Sequence, residues 1–262
     1  MDAYPEIVVG TDGSDAGTQA VRLAAGVAGA LAAPLSVVSA WTGSGPDAYL
    51  GASTVTEAAE TVARSLGVAE VRRMEPGASG APADALIDIV RERLECLLVV
   101  GDRGVDSDGE RFGGNTAHQL AHHSPVDLLL AVAGRAAELR RIATTTDGSS
   151  TANRGVYKGV ALARALGVVP DIVTVARTDE EGAAALDSVV DDLTRRGIEF
   201  RSRVVHAGLG QVARTIVEVG DEYDLLVIGN RGLSGPSRLM GSVSNRIAHN
   251  LSTNLLIALT VV

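Results

Sequence analysis

The sequence is poor in cysteine, in aromatic residues and in long apolar runs. Cys96 is the single cysteine among 262 residues, which excludes a disulfide within the chain. Aromatic residues make up 3% and hydrophobic residues 46%, so the core must consist of Val, Ala, Leu and Ile. No apolar run reaches the roughly 18 residues of a membrane-spanning helix, and the start, MDAYPEIVVG, lacks the regions of a signal peptide. We therefore expect a cytoplasmic protein without a membrane partner.

Positive charge is also scarce, and it is unevenly distributed. The net charge of −9 opposes general binding to nucleic acid. Residues 1–134 carry 18 acidic residues and 8 arginines, a net charge of −10. Residues 135–262 carry 14 acidic and 15 basic residues, a net charge of +1. An anionic ligand should therefore be drawn to the second half more than to the first.

The chain contains two copies of one pattern. Three segments of the first copy recur in the second at offsets of 135, 128 and 127 residues. The matched pairs are IVVGTDGS (7–14) with IATTTDGS (142–149), LLVVGDRG (97–104) with LLVIGNRG (225–232), and GNTAHQLAHH (114–123) with GSVSNRIAHN (241–250). The seam lies near residues 133–141, so we predict two domains, 1–134 and 139–262.

Each copy alternates predicted strands with predicted helices. A short first strand ends in Thr-Asp-Gly-Ser, and apolar residues at helical spacing follow it. Four further strands are predicted per copy: LSVVSAW, EVRRM, LLVVG and VDLLLAV in the first, and DIVTVA, EFRSRVV, LLVIG and LLIALTVV in the second. The helices between them include residues 53–66 and 181–196. This alternation predicts an α/β fold, with two doubly wound five-stranded parallel-sheet domains.

A glycine-rich segment after the fourth strand combines features of a phosphate site. Gly229 and Gly232 let the backbone turn sharply and let a ligand approach. Gly241 and Ser242 precede the last helix, where we expect Ser242 to be the N-cap, and free N–H groups at a helix start favour an anion. The segment also contains Arg231 and Arg238 and no acidic residue between residues 229 and 245.

Asp12 and Asp147 end the first strands and face the same edge of the predicted sheets. Ligands of such folds bind at the carboxyl ends of strands, where the winding direction reverses. Each aspartate is therefore a candidate for a hydrogen bond to a ribose hydroxyl or an adenine amine. Each could instead cap the following helix, as could Ser14 and Ser149.

These two motifs together resemble those of the universal stress proteins. The resemblance lies in TDGS after the first strand and in Gly-x2-Gly-x9-Gly-Ser/Thr after the fourth, and it covers nearly the whole chain. It implies an adenine-nucleotide alpha-hydrolase-like fold with strand order 3-2-1-4-5. In the ATP-binding branch it implies that the aspartate and the second-strand end hold the nucleoside, and that the glycine segment and its hydroxyl hold the phosphates. It also implies that the two lobes pair through their fifth strands, and it leaves a homodimer open.

The resemblance identifies one stronger and one weaker candidate site. The stronger site comprises Thr146, Asp147, Val175, Gly229, Arg231, Gly232, Gly241, Ser242, Val243 and Ser244. The weaker site comprises Thr11, Asp12, Ala40, Gly101, Arg103, Gly104, Gly114, Asn115 and Thr116. Two departures matter: eight residues, not nine, separate Gly232 from Gly241, and Asn115 replaces the Ser/Thr in an acidic first segment. We expect tight binding at the second lobe and weak or no binding at the first.

Catalytic and metal-binding patterns are sparse. The sequence has no GxxxxGK[ST] and no GxSxG motif, and Cys96 is expected to be a small buried residue. His118, His122 and His123 offer too few ligands for a metal site. We predict an ATP-binding regulatory stress-response protein with little or no turnover. ATP could bind with or without Mg²⁺, and the protein partner is unknown. A slow ATPase and a scaffold that binds no nucleotide remain the alternatives.

Overall fold

The computed structural model of the chain describes residues 4–40, 46–74, 81–102, 115–230 and 241–260. The chain divides into two compact units between Glu138 and Leu139. Over the described residues, strands and helices alternate strictly in each unit. The first unit contains β1 (Ile7–Gly10), α1 (Asp15–Leu31), β2 (Leu35–Val38), α2 (Pro46–Ser65), β3 (Val71–Met74), α3 (Pro82–Arg91), β4 (Leu97–Gly101), α4 (Asn115–His123) and β5 (Asp127–Ala131). The second contains β6 (Ile142–Thr145), α5 (Ser150–Ala165), β7 (Asp171–Ala176), α6 (Asp179–Arg195), β8 (Arg201–His206), α7 (Val212–Gly220), β9 (Leu225–Gly229), α8 (Ser242–Asn250) and β10 (Asn254–Ala258).

The strands of each unit pair in parallel in the expected order. In the first unit β1 lies between β2 and β4, with β3 and β5 outside them. In the second unit β6 lies between β7 and β9, with β8 and β10 outside them. The order is therefore 3-2-1-4-5 in both, and the winding direction reverses between the first and fourth strands. The predicted α/β class, with two doubly wound parallel-sheet units, is confirmed.

The burial of the strands explains their composition. Every residue of β9 and β10 is buried, and so is every residue of β1 and β5. Strands covered by helices on both faces read as continuous apolar runs, which is the pattern the sequence shows. In the second unit, α5 packs mainly on β6 and β9, and α6 on β7 and β8. Buried residues of both helices form one cluster with Ile172 of β7: Val156, Val160, Ile172, Leu186, Val189, Leu193 and Ile198.

Small residues bring α1 and α5 very close to the sheet. A Cβ on Gly159 would lie 2.4 Å from Thr144 Cγ2, and one on Gly155 would lie 3.2 Å from the Gly229 backbone nitrogen. In the first unit, a Cβ on Gly101 would lie 2.8 Å from the Ala16 carbonyl carbon. The amino-terminal halves of α1 and α5 therefore lie directly against the carboxyl ends of β4 and β9.

Hydroxyl side chains begin three of the helices. Ser14 Oγ accepts the Gly17 N–H at the start of α1, and Ser149 caps α5 in the same way. Thr178 caps α6, so that helix begins at Asp179, two residues earlier than predicted. None of the helices in the described part of the chain is both long and apolar enough to cross a membrane.

The fifth strand of the second unit is shorter than predicted. The apolar run LLIALTVV indicated a strand continuing to Val262, but β10 ends at Ala258. Ala258 lies level with Gly229, the last residue of β9, and beyond it the Thr260 N–H donates to the Asn230 side chain and not to a strand backbone. Apolar character alone therefore overestimated the length of this strand.

Candidate functional site

The Thr-Asp-Gly-Ser turn after β6 is held by its own side chains. The Thr146 hydroxyl accepts the Gly148 N–H at 3.0 Å and donates to Asn153 Oδ1 at 2.6 Å. Asp147 Oδ1 accepts the Ser149 N–H at 2.9 Å. Gly148 has a φ of +82°, which a residue with a side chain would adopt only under strain. The turn is thus held in a shape that leaves Asp147 exposed at the end of β6.

The turn after β1 has the same construction. Thr11 Oγ1 accepts the Gly13 N–H at 3.2 Å. Asp12 Oδ1 accepts both the Ser14 N–H at 3.0 Å and the Ser14 hydroxyl at 2.5 Å. Helix capping, one of the two roles open to the aspartates, is performed by the following serines in both units. The aspartates shape the turns through Oδ1.

The base of the glycine-rich segment in the second unit is closed by backbone and side-chain hydrogen bonds. The Gly241 N–H donates to the Asn230 carbonyl oxygen at 3.0 Å, which joins the two residues on either side of residues 231–240. The Asn230 N–H donates to the Ala258 carbonyl oxygen at 2.8 Å. Ser244 Oγ donates to the Gly229 carbonyl oxygen at 3.0 Å and is buried, so its hydroxyl is engaged in the protein.

The start of α8 differs from the starts of α1, α5 and α6. Its N-cap is Gly241, in an extended conformation with φ −63° and ψ 156°, and no side chain of the described residues caps the helix. Ser242, predicted as the N-cap, is instead the first helical residue, and it is exposed together with Val243. That prediction was wrong because glycine, which has no side-chain acceptor, supplies the extended residue. The first-turn N–H groups therefore have no side-chain acceptor among the described residues, an arrangement that suits a bound anion.

The Asp147 turn and the start of α8 meet at the reversal point of the second sheet. β6 and β9 are direct neighbours, with Thr144 level with Val227, and both lead into this edge. Val175, the penultimate residue of β7, is half-buried at the same edge. The structure therefore brings the described members of the stronger candidate site to the carboxyl ends of three adjacent strands, where folds of this kind bind ligands.

The equivalent positions of the first unit are described less completely. Gly101 ends β4, Ala40 lies two residues beyond β2, and Thr116 lies in the first turn of α4, which begins at Asn115. The remaining candidates lie outside the described residues: Arg103, Gly104 and Gly114 of the weaker site, and Arg231 and Gly232 of the stronger one.

Three buried polar residues of the second unit escaped sequence reasoning. Asn153, Asn230 and Thr260 are 8%, 5% and 2% exposed, and all three make side-chain hydrogen bonds. A polar side chain on the apolar face of α5 was the one signal available for Asn153. Asn230 is a variable position inside the Gly-x2-Gly motif, and Thr260 interrupts the apolar C-terminal run. Neither pattern assigns a role to the residue.

Comparison with known proteins identifies the fold. The model of the universal stress protein family matches residues 3–131 and, a second time, residues 138–258. The chain belongs to the universal stress protein family. It contains two universal stress domains in tandem, as the repeat predicts.

Individual known proteins resemble one domain or both. Universal stress protein Rv1636 of Mycobacterium tuberculosis is 33% identical over 144 residues, which cover 50% of this chain and 97% of that protein. The solved structure of a universal stress protein from Archaeoglobus fulgidus covers 98% of this chain and 99% of its own, with a TM-score of 0.76 and 15% identity. The functionally unknown protein PA1789 of Pseudomonas aeruginosa covers 99% of this chain and 94% of its own, with a TM-score of 0.71 and 13% identity. At these identities the two solved structures show a shared fold.

Cys96 lies away from the Asp12 turn, and the histidines of the first universal stress domain lie on α4. Cys96 is 2% exposed and precedes β4 at the amino end of the sheet, as predicted for a small buried residue. Burial raises the pKa of its thiol from 9.0 to about 12, and the Glu6 carboxylate adds to the shift. On α4 the rings of His118 and His122 lie 4.7 Å apart between centroids. Within the described residues, no three His, Cys, Asp or Glu side chains are grouped as a metal site would require.

Proposed function

We propose that the second universal stress domain binds an adenine nucleotide, with ATP as the expected ligand, and that the protein acts in stress regulation through this binding. The observation that carries the proposal is the place of the α8 start: its N-cap Gly241 has no side-chain acceptor, and it lies with the Asp147 turn at the reversal point of the second sheet. By contrast, Ser14 and Ser149 cap α1 and α5, the helices that follow the first strands. A phosphate group would supply the missing acceptor for the N–H groups of Ser242 and Val243.

The nucleoside half of the ligand would lie toward the Asp147 turn. Asp147 is exposed, its Oδ1 is engaged with the Ser149 N–H, and its Oδ2 can accept from a ribose hydroxyl or an adenine amine. The half-buried Val175 offers apolar contact to the base from the end of β7. Gly229 and Gly241 frame the phosphate side, with Arg231 and Gly232 proposed from the sequence alone.

Little or no turnover is the expected behaviour. Phosphoryl transfer needs a positioned nucleophile and a charge clamp around the γ-phosphate. Cys96 cannot serve, because it lies at the other end of the first sheet and its raised pKa keeps the thiol protonated. Phosphate release at about 1 s⁻¹, at the low end of the usual enzyme range, would contradict this expectation if Ser242→Ala abolished it.

The two domains should bind unequally. The second domain lies in the half of the chain with a net charge of +1, and the first in the half with −10. Two unit charges about 4 Å apart near a protein surface interact by roughly 4 kcal/mol before screening, and about 1.4 kcal/mol already changes affinity tenfold. Even when solvent and salt screen most of this interaction energy, the remaining difference in binding free energy is enough to favour the second domain.

Titration calorimetry with ATP, ADP, AMP, cyclic AMP and adenosine tests the proposal. Asp147→Ala should remove most of the ATP signal, and the matched variant Asp12→Ala should remove little. Runs with and without Mg²⁺ are needed, because an ion held by acidic residues of the first domain would bridge to the phosphates and reverse the preference. No heat and no bound nucleotide in the wild-type protein would favour the scaffold alternative.

A further inference from the structure

Thr260 lies at the centre of a hydrogen-bond cluster next to the start of α8, in which Thr260 and Asn230 are the buried members. Its N–H and its hydroxyl both donate to Asn230 Oδ1, at 3.0 Å and 2.8 Å. Its carbonyl oxygen accepts from Arg154 Nη1 of α5 at 3.0 Å. Thr260 is only 2% exposed although it lies beyond the end of β10. We call Arg154, Asn230, Gly241 and Thr260 the Thr260 cluster.

Asn230 connects this cluster to the helix start. Its side chain accepts from Thr260, while its own carbonyl oxygen accepts the Gly241 N–H at 3.0 Å. Gly241 is the N-cap of α8, and its carbonyl oxygen accepts the Asn245 N–H that begins the helical ladder. Asn230 therefore links Thr260, through its side chain, to the N-cap of α8, through its carbonyl oxygen.

Helix α5 holds the other side of the cluster. Arg154 contacts the Thr260 carbonyl oxygen, and one turn later Lys158 Nζ donates to the Leu259 carbonyl oxygen at 2.8 Å. The N-cap of the same helix is Ser149, two residues after Asp147. The segment after β10 thus joins α5, the helix after the Asp147 turn, to Asn230, which bonds the N-cap of α8.

We propose that Thr260 is a positioning residue for the phosphate-binding N–H groups of α8, an inference that rests on the proposed function. Its hydroxyl and N–H hold the Asn230 side chain, and Asn230 holds Gly241. Donors that are pre-oriented toward a ligand bind it without the cost of ordering them. The effect should concern the phosphates and not the nucleoside, because the cluster contacts the start of α8 and not the Asp147 carboxylate.

The first unit differs at these positions. By the repeat, Asp102 corresponds to Asn230 and Ala133 to Thr260. The backbone bond is kept, since the Asp102 N–H donates to the Ala131 carbonyl oxygen at 2.9 Å. Ala133 has no hydroxyl, so the bond from the Thr260 hydroxyl to the Asn230 side chain has no counterpart at this position of the first unit.

The test compares Thr260→Val with Thr260→Ser and with Thr253→Val. Thr253 is a matched control, because it is fully buried just before β10 and its hydroxyl donates to the Tyr223 carbonyl oxygen at 2.6 Å, at the opposite edge of the sheet. Thr260→Val should raise the Kd for ATP about three- to tenfold, the loss expected for one net hydrogen bond, and should leave adenosine binding within about twofold. Thr260→Ser and Thr253→Val should bind ATP like the wild-type protein.

A readout without ligand separates this inference from the proposed function. Hydrogen exchange of the Gly241 amide should be faster in Thr260→Val and unchanged in Thr253→Val. Wild-type protein that fails to bind ATP overturns the proposed function. Unchanged Gly241 exchange in Thr260→Val overturns the inference whatever the ligand does, as does an equal loss of ATP and adenosine binding.

Discussion

Replacing Asn153 with alanine removes a side chain that joins α5 to the aspartate turn and to α6. Asn153 Oδ1 accepts the Thr146 hydroxyl at 2.6 Å, and its Nδ2 donates to Ser188 Oγ at 2.9 Å. The Thr146 hydroxyl in turn accepts the Gly148 N–H. The substitution therefore loosens the turn that presents Asp147.

The two broken hydrogen bonds should differ in cost. Thr146 is 6% exposed, so its hydroxyl loses a buried acceptor, at a cost of about 1–3 kcal/mol. Ser188 is exposed, and water can replace Asn153 as its partner. We expect Asn153→Ala to lower the free energy of unfolding of the second unit by about 1–3 kcal/mol. Ser188→Ala should lower it by less than about 0.5 kcal/mol.

Residue-level hydrogen exchange is the suitable assay, because a chain of two units need not unfold in one two-state step. The Gly148 amide reports on the turn directly, since it donates to the Thr146 hydroxyl. Its exchange should accelerate about five- to 150-fold in Asn153→Ala, which corresponds to the same 1–3 kcal/mol. Equal acceleration in Ser188→Ala, or none in Asn153→Ala, would refute the assignment of Asn153 as the residue that holds the turn.

Three further predictions concern stability. The pKa of Cys96 rises from 9.0 to about 12 on folding, so between these values the unfolded chain has lost a proton that the folded chain keeps. As the pH rises through this range, the free energy of unfolding should fall by about 1.4 kcal/mol per pH unit. Denaturant titration at several pH values should show a weaker dependence of that free energy on pH for Cys96→Ser. Thr178→Ala should cost about 1 kcal/mol by removing the α6 cap, while Thr178→Ser should not; similar unfolding midpoints would contradict this. Gly159→Ala should lower the free energy of unfolding by about 1–3 kcal/mol through overpacking. Gly29→Ala, with open space around it, should raise the free energy of unfolding by about 0.5–1 kcal/mol, and thermal unfolding checks both changes.

The repeat and its periodicity were sufficient to predict the two sheets. Strand identity and helix alternation follow from local apolar patterns, and the doubly wound class follows from the right-handed crossover rule. The strand order 3-2-1-4-5 came from the resemblance to the universal stress proteins, and the structure agrees with it. The errors lie at element ends. β10 stops at Ala258 because β9 stops opposite it, and α8 begins after Gly241 and not at a serine cap. Both ends depend on neighbours that a local pattern does not contain.

Sequence alone placed Asp147 and the glycine segment at the same edge of the sheet, because each directly follows a strand. Tertiary structure alone decided how they are held. Asn153 meets Ser188 across 35 residues, and Thr260 meets Arg154 across 106, so these bonds exist only once the helices have packed on the sheet. A single buried amide or hydroxyl has no periodicity of its own. Its role depends on the donor or acceptor that the fold brings within 3 Å, which is a property of the packing and not of the local sequence.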